Sequence, residues 1–273
     1  MIIVLLAVVG LCLGSFVNAL VWRLHEQAKK KQPSARLSIL KGRSMCPHCR
    51  HELAARDLVP VVSWLALKGK CRYCHRPISV QYPLVELATA GLFVASYAWW
   101  PVALSGAQIA VFVLWLVLLI GLLALLVYDA RWQLLPDRIL YPLYGAALVQ
   151  AIIAIAAADR PLAALGNAVL GVIIGGGVFY VLFQVSQGKW MGGGDVKLGW
   201  LLGLVVGTPG KAILFIFFGS ALGSLVSLPL LAQGRLKRTS VIAFGPFLIA
   251  GAILTVLFGS DILHWYQHTF LQV

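Results

Sequence analysis

Two aspartates at the edges of long apolar segments are the residues best suited to chemistry in this chain. Asp129 ends an apolar run in Leu-Val-Tyr-Asp129, and Asp195 follows three glycines in Met191-Gly-Gly-Gly-Asp-Val-Lys197. The chain has only 9 acidic residues, and ionisable groups at membrane depth are costly and usually functional. Two carboxyl groups held together in a partly dry site share a proton, which leaves one as an acid and the other as a base. Such a pair can activate water against a peptide bond, so the pattern suggests an aspartyl hydrolase in the membrane.

Simpler roles for the acidic residues stay open from spacing alone. Asp129 could pair with Arg131 at a helix end, and Asp195 could cap the helix that follows it. The glycines before Asp195 could form a flexible turn, or could let backbone and substrate approach closely because they lack Cβ atoms. Asp137 is expected to cap a helix, and Glu86 is either the wall of a site or a cap at the membrane interface. A scaffold that docks a partner and a proton-relaying transporter are the alternative classes, although no convincing internal repeat supports a transporter.

Four cysteines form a second group with a recognisable spacing. They occur as Cys46-Pro-His-Cys49 and Cys71-Arg-Tyr-Cys74, with 21 residues between the pairs. Two C-x2-C knuckles are typical of a zinc site with four thiolate ligands. Disulfides are the alternative, which the reducing cytoplasm disfavours. The surrounding polar segment is too short for a large core, so bound zinc is expected to contribute much of its stability.

The elements that must position these residues are membrane helices. Of the 273 residues, 60% are hydrophobic and 11% are charged, whereas soluble domains are about 45–50% apolar and about 25% charged. This composition excludes a soluble enzyme, a disordered chain and a disulfide scaffold. Apolar runs suited to a hydrocarbon core about 30 Å thick predict an all-α polytopic membrane protein with about eight transmembrane helices. The predicted spans are 1–22, 83–100, 107–128, 139–158, 162–185, 197–208, 211–232 and 242–262.

The basic residues predict the orientation of these spans. Residues 23–82 hold 13 of the 22 lysines and arginines, which places this segment in the cytoplasm and both chain termini in the periplasm. With eight alternating spans, 20 of the 22 basic residues face the cytoplasm. The sixth span is short enough to dip into the membrane without crossing. Arg235, Lys237 and Arg238 would then face outward, against the charge rule.

The predicted organisation has three parts. Residues 1–22 form the first transmembrane helix, residues 23–82 form a small zinc-ribbon-like cytoplasmic domain, and residues 83–273 form a membrane core of seven helices. The cytoplasmic segment contains thirteen basic and three acidic residues, a net charge of +10, which suits anionic lipid or an acidic peptide. No nucleic-acid recognition motif accompanies this charge, so the lipid bilayer and not nucleic acid is the expected partner.

Further short motifs extend these features along nearly the whole chain. They are Gly14-Ser-Phe-Val-Asn18 with Arg23, Asp57-Leu-Val-Pro60, Gly69-Lys-Cys-Arg-Tyr-Cys74, Tyr82-Pro-Leu-Val-Glu86, Leu135-Pro-Asp137 and Phe244-Gly-Pro-Phe247. Taken in order with the cysteine knuckles, Asp129 and Asp195, they resemble the prepilin peptidases, the type IV leader peptidases of bacterial pilus and type II secretion systems.

The resemblance implies a specific activity. Such enzymes are GxGD-type aspartyl proteases of the bacterial inner membrane, and their catalytic pair corresponds to Asp129 and Asp195. They cleave the basic leader from prepilin or pseudopilin precursors at the cytoplasmic membrane boundary. Many then methylate the new N-terminal amine with S-adenosylmethionine, and Gly69 and Lys70 match residues associated with this second activity. Asp137 is often Asn in relatives and is not counted as catalytic. The expected ligands of a structural zinc ion are Cys46, Cys49, Cys71 and Cys74.

Overall fold

The protein is helical throughout its long apolar segments. A computed structural model describes residues 1–29, 37–39, 42–235 and 242–271. Within these ranges no β-strand is formed, and extended pairing is limited to the isolated bridges Met45–Glu52 and Lys70–Pro77. The helices are α1 (Ile2–Lys29), α2 (Val62–Ala66), α3 (Gln81–Ala98), α4 (Ala107–Trp132), α5 (Asp137–Ala156), α6 (Pro161–Ser186), α7 (Gly193–Val206), α8 (Pro209–Ala232) and α9 (Gly245–Tyr266).

The predicted all-α membrane architecture is confirmed, with a helix at each of the eight expected positions. Six of these helices, α1, α4, α5, α6, α8 and α9, are long and apolar enough to cross a membrane. The helix α3 has 18 residues and α7 has 14, so eight is an approximate number of spans. At 1.5 Å per residue α7 is about 21 Å long, shorter than a hydrocarbon core of about 30 Å. Lys237 and Arg238, used above to orient the last spans, lie outside the described residues.

The chain divides into two compact units, Met1–Ala98 and a second unit that begins at Trp99. In the first unit α1 packs closely on α3. A Cβ atom on Gly10 would lie 2.6 Å from Ala90 Cα, and one on Gly14 would lie 2.6 Å from Glu86 Cα. Contacts this short leave no room for a side chain, so the small residues at four-residue spacing set the distance between the two helices.

A buried arginine holds the chain that follows α1. Arg23 is only 6% exposed, and its guanidinium donates hydrogen bonds to the backbone carbonyls of Ser38, Ile39 and Gly42 at 3.3, 3.1 and 2.9 Å. An arginine carries five N–H donors in a planar fork, which suits it to several carbonyls at once. Arg23 therefore fixes the start of the cysteine-bearing segment against the end of the first helix.

The second unit is built around α4. Trp115, Leu118, Leu119, Leu122 and Leu125 are fully buried along this helix. Three helix pairs, α4 with α5, α6 with α7 and α8 with α9, form most of the packing, and α9 also contacts α4 and α7. Because α5 and α9 pack on one side of α4, its last turn can carry a side chain that is shielded from solvent.

Glycines on facing helices bring α6 and α7 together. A Cβ on Gly203 of α7 would lie 2.6 Å from the Gly171 carbonyl oxygen of α6, and one on Gly175 would lie 2.8 Å from Gly203 Cα. Close backbone approach of this kind compensates for the short apolar length of α7, because van der Waals packing drives helix association in a membrane. The position of α7 in turn sets the position of Asp195 in its first turn.

Candidate active site

Asp129 is buried in the last turn of α4. Asp129 is 5% exposed, and its carboxylate accepts a hydrogen bond from the backbone N–H of Gly245. Among the described residues, its Oδ2 atom has no hydrogen-bond partner, and no ion pair with Arg131 is formed. Arg131 instead lies over the ring of Trp132, 5.0 Å from its centroid. A buried carboxylate oxygen without a hydrogen-bond partner is unusual in a folded protein.

Gly245 is the residue that brings α9 to this carboxylate. It is the first residue of α9 and precedes Pro246, and the amides of a first helical turn have no acceptor within their own helix. A Cβ atom on Gly245 would lie 2.6 Å from Asp129 Oδ2, so a larger residue would displace one of the two groups. The motif Phe244-Gly-Pro-Phe247 had indicated no role for this glycine. The sequence signal that could have indicated its role is the Gly-Pro pair at the start of an apolar run.

Asp195 lies in the first turn of α7, close to Asp129. Its carboxylate accepts a hydrogen bond from the backbone N–H of Gly192, the residue that caps the helix, and it interacts electrostatically with Asp129. The side chain thus reaches back to the start of its own helix, as an acidic residue in a capping box does. Leu198, one turn along α7, approaches Gly245 beside Asp129. The structure therefore brings together the two aspartates that the sequence singled out, one buried and one half-buried.

The glycines before Asp195 leave an open surface beside it. Gly192 and Gly193 are exposed, and a Cβ on either would have its nearest neighbour at 3.8 or 3.9 Å. Gly192 has φ −76°, a value that other residues also adopt. The backbone geometry at position 192 does not require a glycine. The missing side chain leaves free space next to the Asp195 carboxylate.

The sequence suggested that Asp137 caps α5, but no side-chain hydrogen bond caps this helix. Pro136 occupies the cap position, and the Asp137 carboxylate instead pairs with Lys197 Nζ at 2.8 and 3.1 Å. The backbone carbonyl of Lys197 also accepts a hydrogen bond from the Tyr144 hydroxyl at 2.6 Å. Both contacts join α5 to α7 two residues after Asp195, so they help to hold the second aspartate in place.

The four cysteines of the first unit converge on one point. The sulfur atoms of Cys46, Cys49, Cys71 and Cys74 all lie within 4.8 Å of one another, and Cys46 Sγ is 3.9 Å from Cys74 Sγ. Tetrahedral zinc with Zn–S bonds of about 2.3 Å places its sulfur ligands about 3.8 Å apart. The four cysteines are free thiols and not disulfides. Their number, chemistry and spacing therefore fit a metal ion.

The two knuckles have the same backbone geometry. In each, the residue after the second cysteine donates its backbone amide to the carbonyl of the first: Arg50 donates to Cys46 and His75 donates to Cys71, both at 3.0 Å. Arg50 and His75 both have positive φ, 59° and 55°. This repetition supports a common purpose for both turns, which is to aim two thiols at a shared ion.

Gly69 and Lys70 lie in the first unit and have different surroundings. Gly69 is buried with φ +69°, and a Cβ there would lie 2.9 Å from Trp64 Cζ2. Lys70 is exposed and forms the isolated bridge with Pro77. Glu86, whose role the sequence left open, is 6% exposed and accepts a hydrogen bond from the Val61 amide at 2.7 Å.

Comparison with known proteins agrees with the two-part organisation of the chain. Residues 8–100 match the bacterial peptidase A24 N-terminal domain, and residues 116–228 match the type IV leader peptidase family. No solved structure matches the chain.

Several curated proteins are similar to this chain over nearly their whole length. A prepilin leader peptidase/N-methyltransferase from Aeromonas hydrophila is 32% identical, with 96% of this chain and 92% of the relative aligned. A protein of the same name from Bacillus subtilis is 33% identical, with 96% of both chains aligned. The type 4 prepilin-like proteins leader peptide-processing enzyme of Escherichia coli O78:H11 is 35% identical, with 93% of both chains aligned. These similarities show that the chain belongs to the type IV leader peptidase family.

Proposed function

We propose that this protein is a membrane aspartyl endopeptidase in which Asp129 and Asp195 are the catalytic pair. Its substrates are type IV prepilin or type II secretion pseudopilin precursors, whose leader it cleaves at the cytoplasmic membrane boundary. The observation that carries the proposal is the buried carboxylate of Asp129, which interacts electrostatically with Asp195. The protein also methylates the new N-terminal amine with S-adenosylmethionine, an activity supported by the names of its Aeromonas hydrophila and Bacillus subtilis relatives.

The two carboxyl groups divide the proton transfers of peptide hydrolysis between them. The ionised group takes a proton from water as the water oxygen adds to the scissile carbonyl carbon, while the protonated group gives its proton to the carbonyl oxygen. The resulting intermediate collapses, the C–N bond breaks, and the leaving amine receives a proton from the pair. The hydrogen bond from Gly245 occupies one side of the Asp129 carboxylate, and within the described residues Oδ2 accepts no hydrogen bond.

The location of the pair suits a substrate that spans the membrane. Family membership and six long apolar helices make this a multi-pass inner-membrane protein. With residues 23–82 in the cytoplasm and both termini in the periplasm, the end of α4 and the start of α7 lie at the cytoplasmic boundary. A prepilin has a polar leader followed by an apolar helix, so its scissile bond would reach the same depth.

The cysteine cluster has a structural role in this proposal. Four thiolates complete a tetrahedral zinc shell and leave no position for substrate or water. Zinc bound there stabilises the cytoplasmic domain at residues 23–82 and takes no part in the hydrolysis. S-adenosylmethionine provides the methyl group when it is bound, and the family resemblance assigns Gly69 and Lys70 to its binding. The two catalytic aspartates lie in the second unit, which begins at Trp99.

Replacing either catalytic aspartate by asparagine tests the peptidase mechanism. We expect Asp129→Asn and Asp195→Asn each to reduce leader cleavage by about 10²–10⁴-fold, because each removes one partner of an acid–base pair. The measurement is conversion of a purified prepilin by the purified enzyme, followed by mass spectrometry of the product. The matched control is Asp159→Asn, an exposed aspartate of the second unit, which should cleave at the wild-type rate. Full cleavage by either active-site variant would overturn the mechanism.

A methyl group added at Gly245 should disturb Asp129 without changing any charge. In Gly245→Ala the new Cβ would lie 2.6 Å from Asp129 Oδ2, and a displacement of about 1 Å at a reacting group can cost about 100-fold in rate. Cleavage is measured with the same assay. Gly166→Ala is the control, because nothing lies within 4 Å of a Cβ at that position. Equal activity of the two variants would show that the Gly245 contact is unimportant for catalysis.

Metal analysis tests the cysteine cluster. The purified protein should contain about one zinc ion per chain, and Cys46→Ser should lower that content and make the cytoplasmic segment more sensitive to proteolysis. Cys12→Ser is the control, since Cys12 lies in α1 outside the cluster. A folded, protease-resistant wild-type protein without metal would refute the zinc site.

The order of the two reactions gives a further prediction. The nitrogen that receives the methyl group is part of an amide until cleavage releases it as an amine, and only the amine is nucleophilic. Asp129→Asn should therefore leave the intact precursor unmethylated but should transfer labelled methyl groups to a prepilin cleaved beforehand. Methylation of the intact precursor at the same rate as of the cleaved one would contradict this order.

A further inference from the structure

The basic leader of the proposed substrate has to bind an enzyme that is itself strongly basic. The chain has a net charge of +13 and only 9 acidic residues. The cytoplasmic segment at residues 23–82 alone has a net charge of +10, and like charges brought together oppose binding. An acidic side chain close to the scissile bond would offset this repulsion.

The acidic residues of the first unit are poorly suited to bind the leader. Three of them already form ion pairs within the strongly basic segment, namely Glu26 with Arg50, Glu52 with Arg43 and Asp57 with Arg72. Glu86 is buried and accepts a hydrogen bond from the Val61 amide. A leader that approached these groups would also approach the basic residues around them.

In the second unit, Asp137 is the acidic residue that lies beside the catalytic pair. It begins α5 at the catalytic end, which is the end formed by the last turn of α4 and the first turn of α7. Asp159 follows the other end of α5, a helix of 20 residues that is about 30 Å long. Asp261 lies in α9, about 24 Å along that helix from Gly245. Both of these aspartates are therefore too far from the scissile bond to contact the adjoining leader residues.

The Asp137 carboxylate is accessible and lies beside the glycine segment that precedes Asp195. Its side chain is 47% exposed, and it pairs with Nζ of Lys197, two residues after Asp195. A Cβ on Gly194 would lie 3.3 Å from Leu135 Cδ1, so the glycine segment packs against the loop that leads into Asp137. A peptide laid over this segment to reach Asp195 would pass the Asp137 carboxylate.

Lys197 already pairs with this carboxylate, but the pair is easily exchanged. The Lys197 side chain is 46% exposed, and an exposed ion pair contributes little to stability. A lysine or arginine of the leader can make the same contact, so one cation replaces the other without leaving the Asp137 carboxylate unpaired. The displaced Lys197 ammonium returns to water, which already surrounds half of its side chain.

We propose that Asp137 determines specificity by binding a basic side chain of the leader, and that the leader displaces Lys197 from it. The inference rests on the proposed peptidase function. Four exposed basic residues also lie at the catalytic end, namely Arg131, Arg138, Lys189 and Arg235. Because these residues repel a basic leader, Asp137 supplies the attraction that offsets them, and screening by salt weakens the contact.

Opposite changes in KM distinguish this contact from a purely structural role of the ion pair. Asp137→Asn should raise the KM for a purified prepilin about threefold to fivefold, the size expected for an exposed charge contact. Lys197→Met removes the competing cation and should lower the KM by a similar factor. Both variants lose the same ion pair, so a structural defect would lower kcat and shift KM in the same direction in both. A higher KM in both variants would overturn the proposal.

Changes in the leader test the contact without any enzyme variant. With the wild-type enzyme, a precursor whose leader lysines and arginines are replaced by glutamine should have a KM about threefold to fivefold higher. Asp137→Asn should process the basic and the neutral leader with equal KM, whereas the matched control Asp159→Asn should still prefer the basic leader. Equal KM of the wild type for both leaders would overturn the contact, and cleavage of neither leader would refute the proposed function itself.

Covalent coupling identifies the carboxylate that the leader contacts. In Asp195→Asn, which should retain the precursor uncleaved, a carbodiimide should join the Asp137 carboxylate to a leader lysine. The new amide bond forms as the carbodiimide takes up the released water and becomes a urea. Mass spectrometry of the digested complex identifies the joined peptides. Coupling of the leader only to acidic residues of the first unit would overturn the assignment to Asp137.

Discussion

The burial of one carboxylate constrains much of the second unit. Asp129 is 5% exposed in the last turn of a helix on which α5 and α9 pack, and an isolated buried carboxylate is costly unless hydrogen bonds compensate it. The compensating donor is the first amide of α9. For this bond to form, α9 must begin against the last turn of α4, and its first residue must lack a Cβ. The helix packing and the incomplete solvation of Asp129 are thus two aspects of one arrangement.

The second aspartate is positioned by different means. Asp195 is only half-buried, and its helix is too short to be anchored by apolar length alone. Glycine contacts with α6 fix the body of α7, and the pair between Lys197 and Asp137 fixes its start. An exposed ion pair contributes little to stability, about 0–1 kcal/mol, so its value here lies in geometry. A rigid, shielded carboxylate facing a more accessible one is the asymmetry that acid–base chemistry needs.

The sequence predicted the features that depend on local patterns. Apolar run length gave the helix positions, and paired cysteine spacing gave the metal cluster, because each signal lies within a short stretch of chain. Contacts between distant segments were not accessible in this way. The pair between Lys197 and Asp137 joins residues 60 positions apart, and neither spacing nor composition indicates it. The role of Gly245 was missed for the same reason, since a glycine required by a neighbouring side chain is indistinguishable in sequence from one required by a turn.

The two proposed reactions make different demands, and the two units are built accordingly. Hydrolysis needs a pair of carboxyl groups that exchange protons with water, which the second unit provides at the edge of a glycine-lined opening. Methyl transfer needs an uncharged amine and a bound donor, and an α-amino group with a pKa of about 7.7–8.0 is partly uncharged near neutral pH. A strong base is therefore unnecessary for the transfer. The acidic residues of the first unit are free to act as structural groups, with Glu86 holding Val61 and Asp57 holding Arg72.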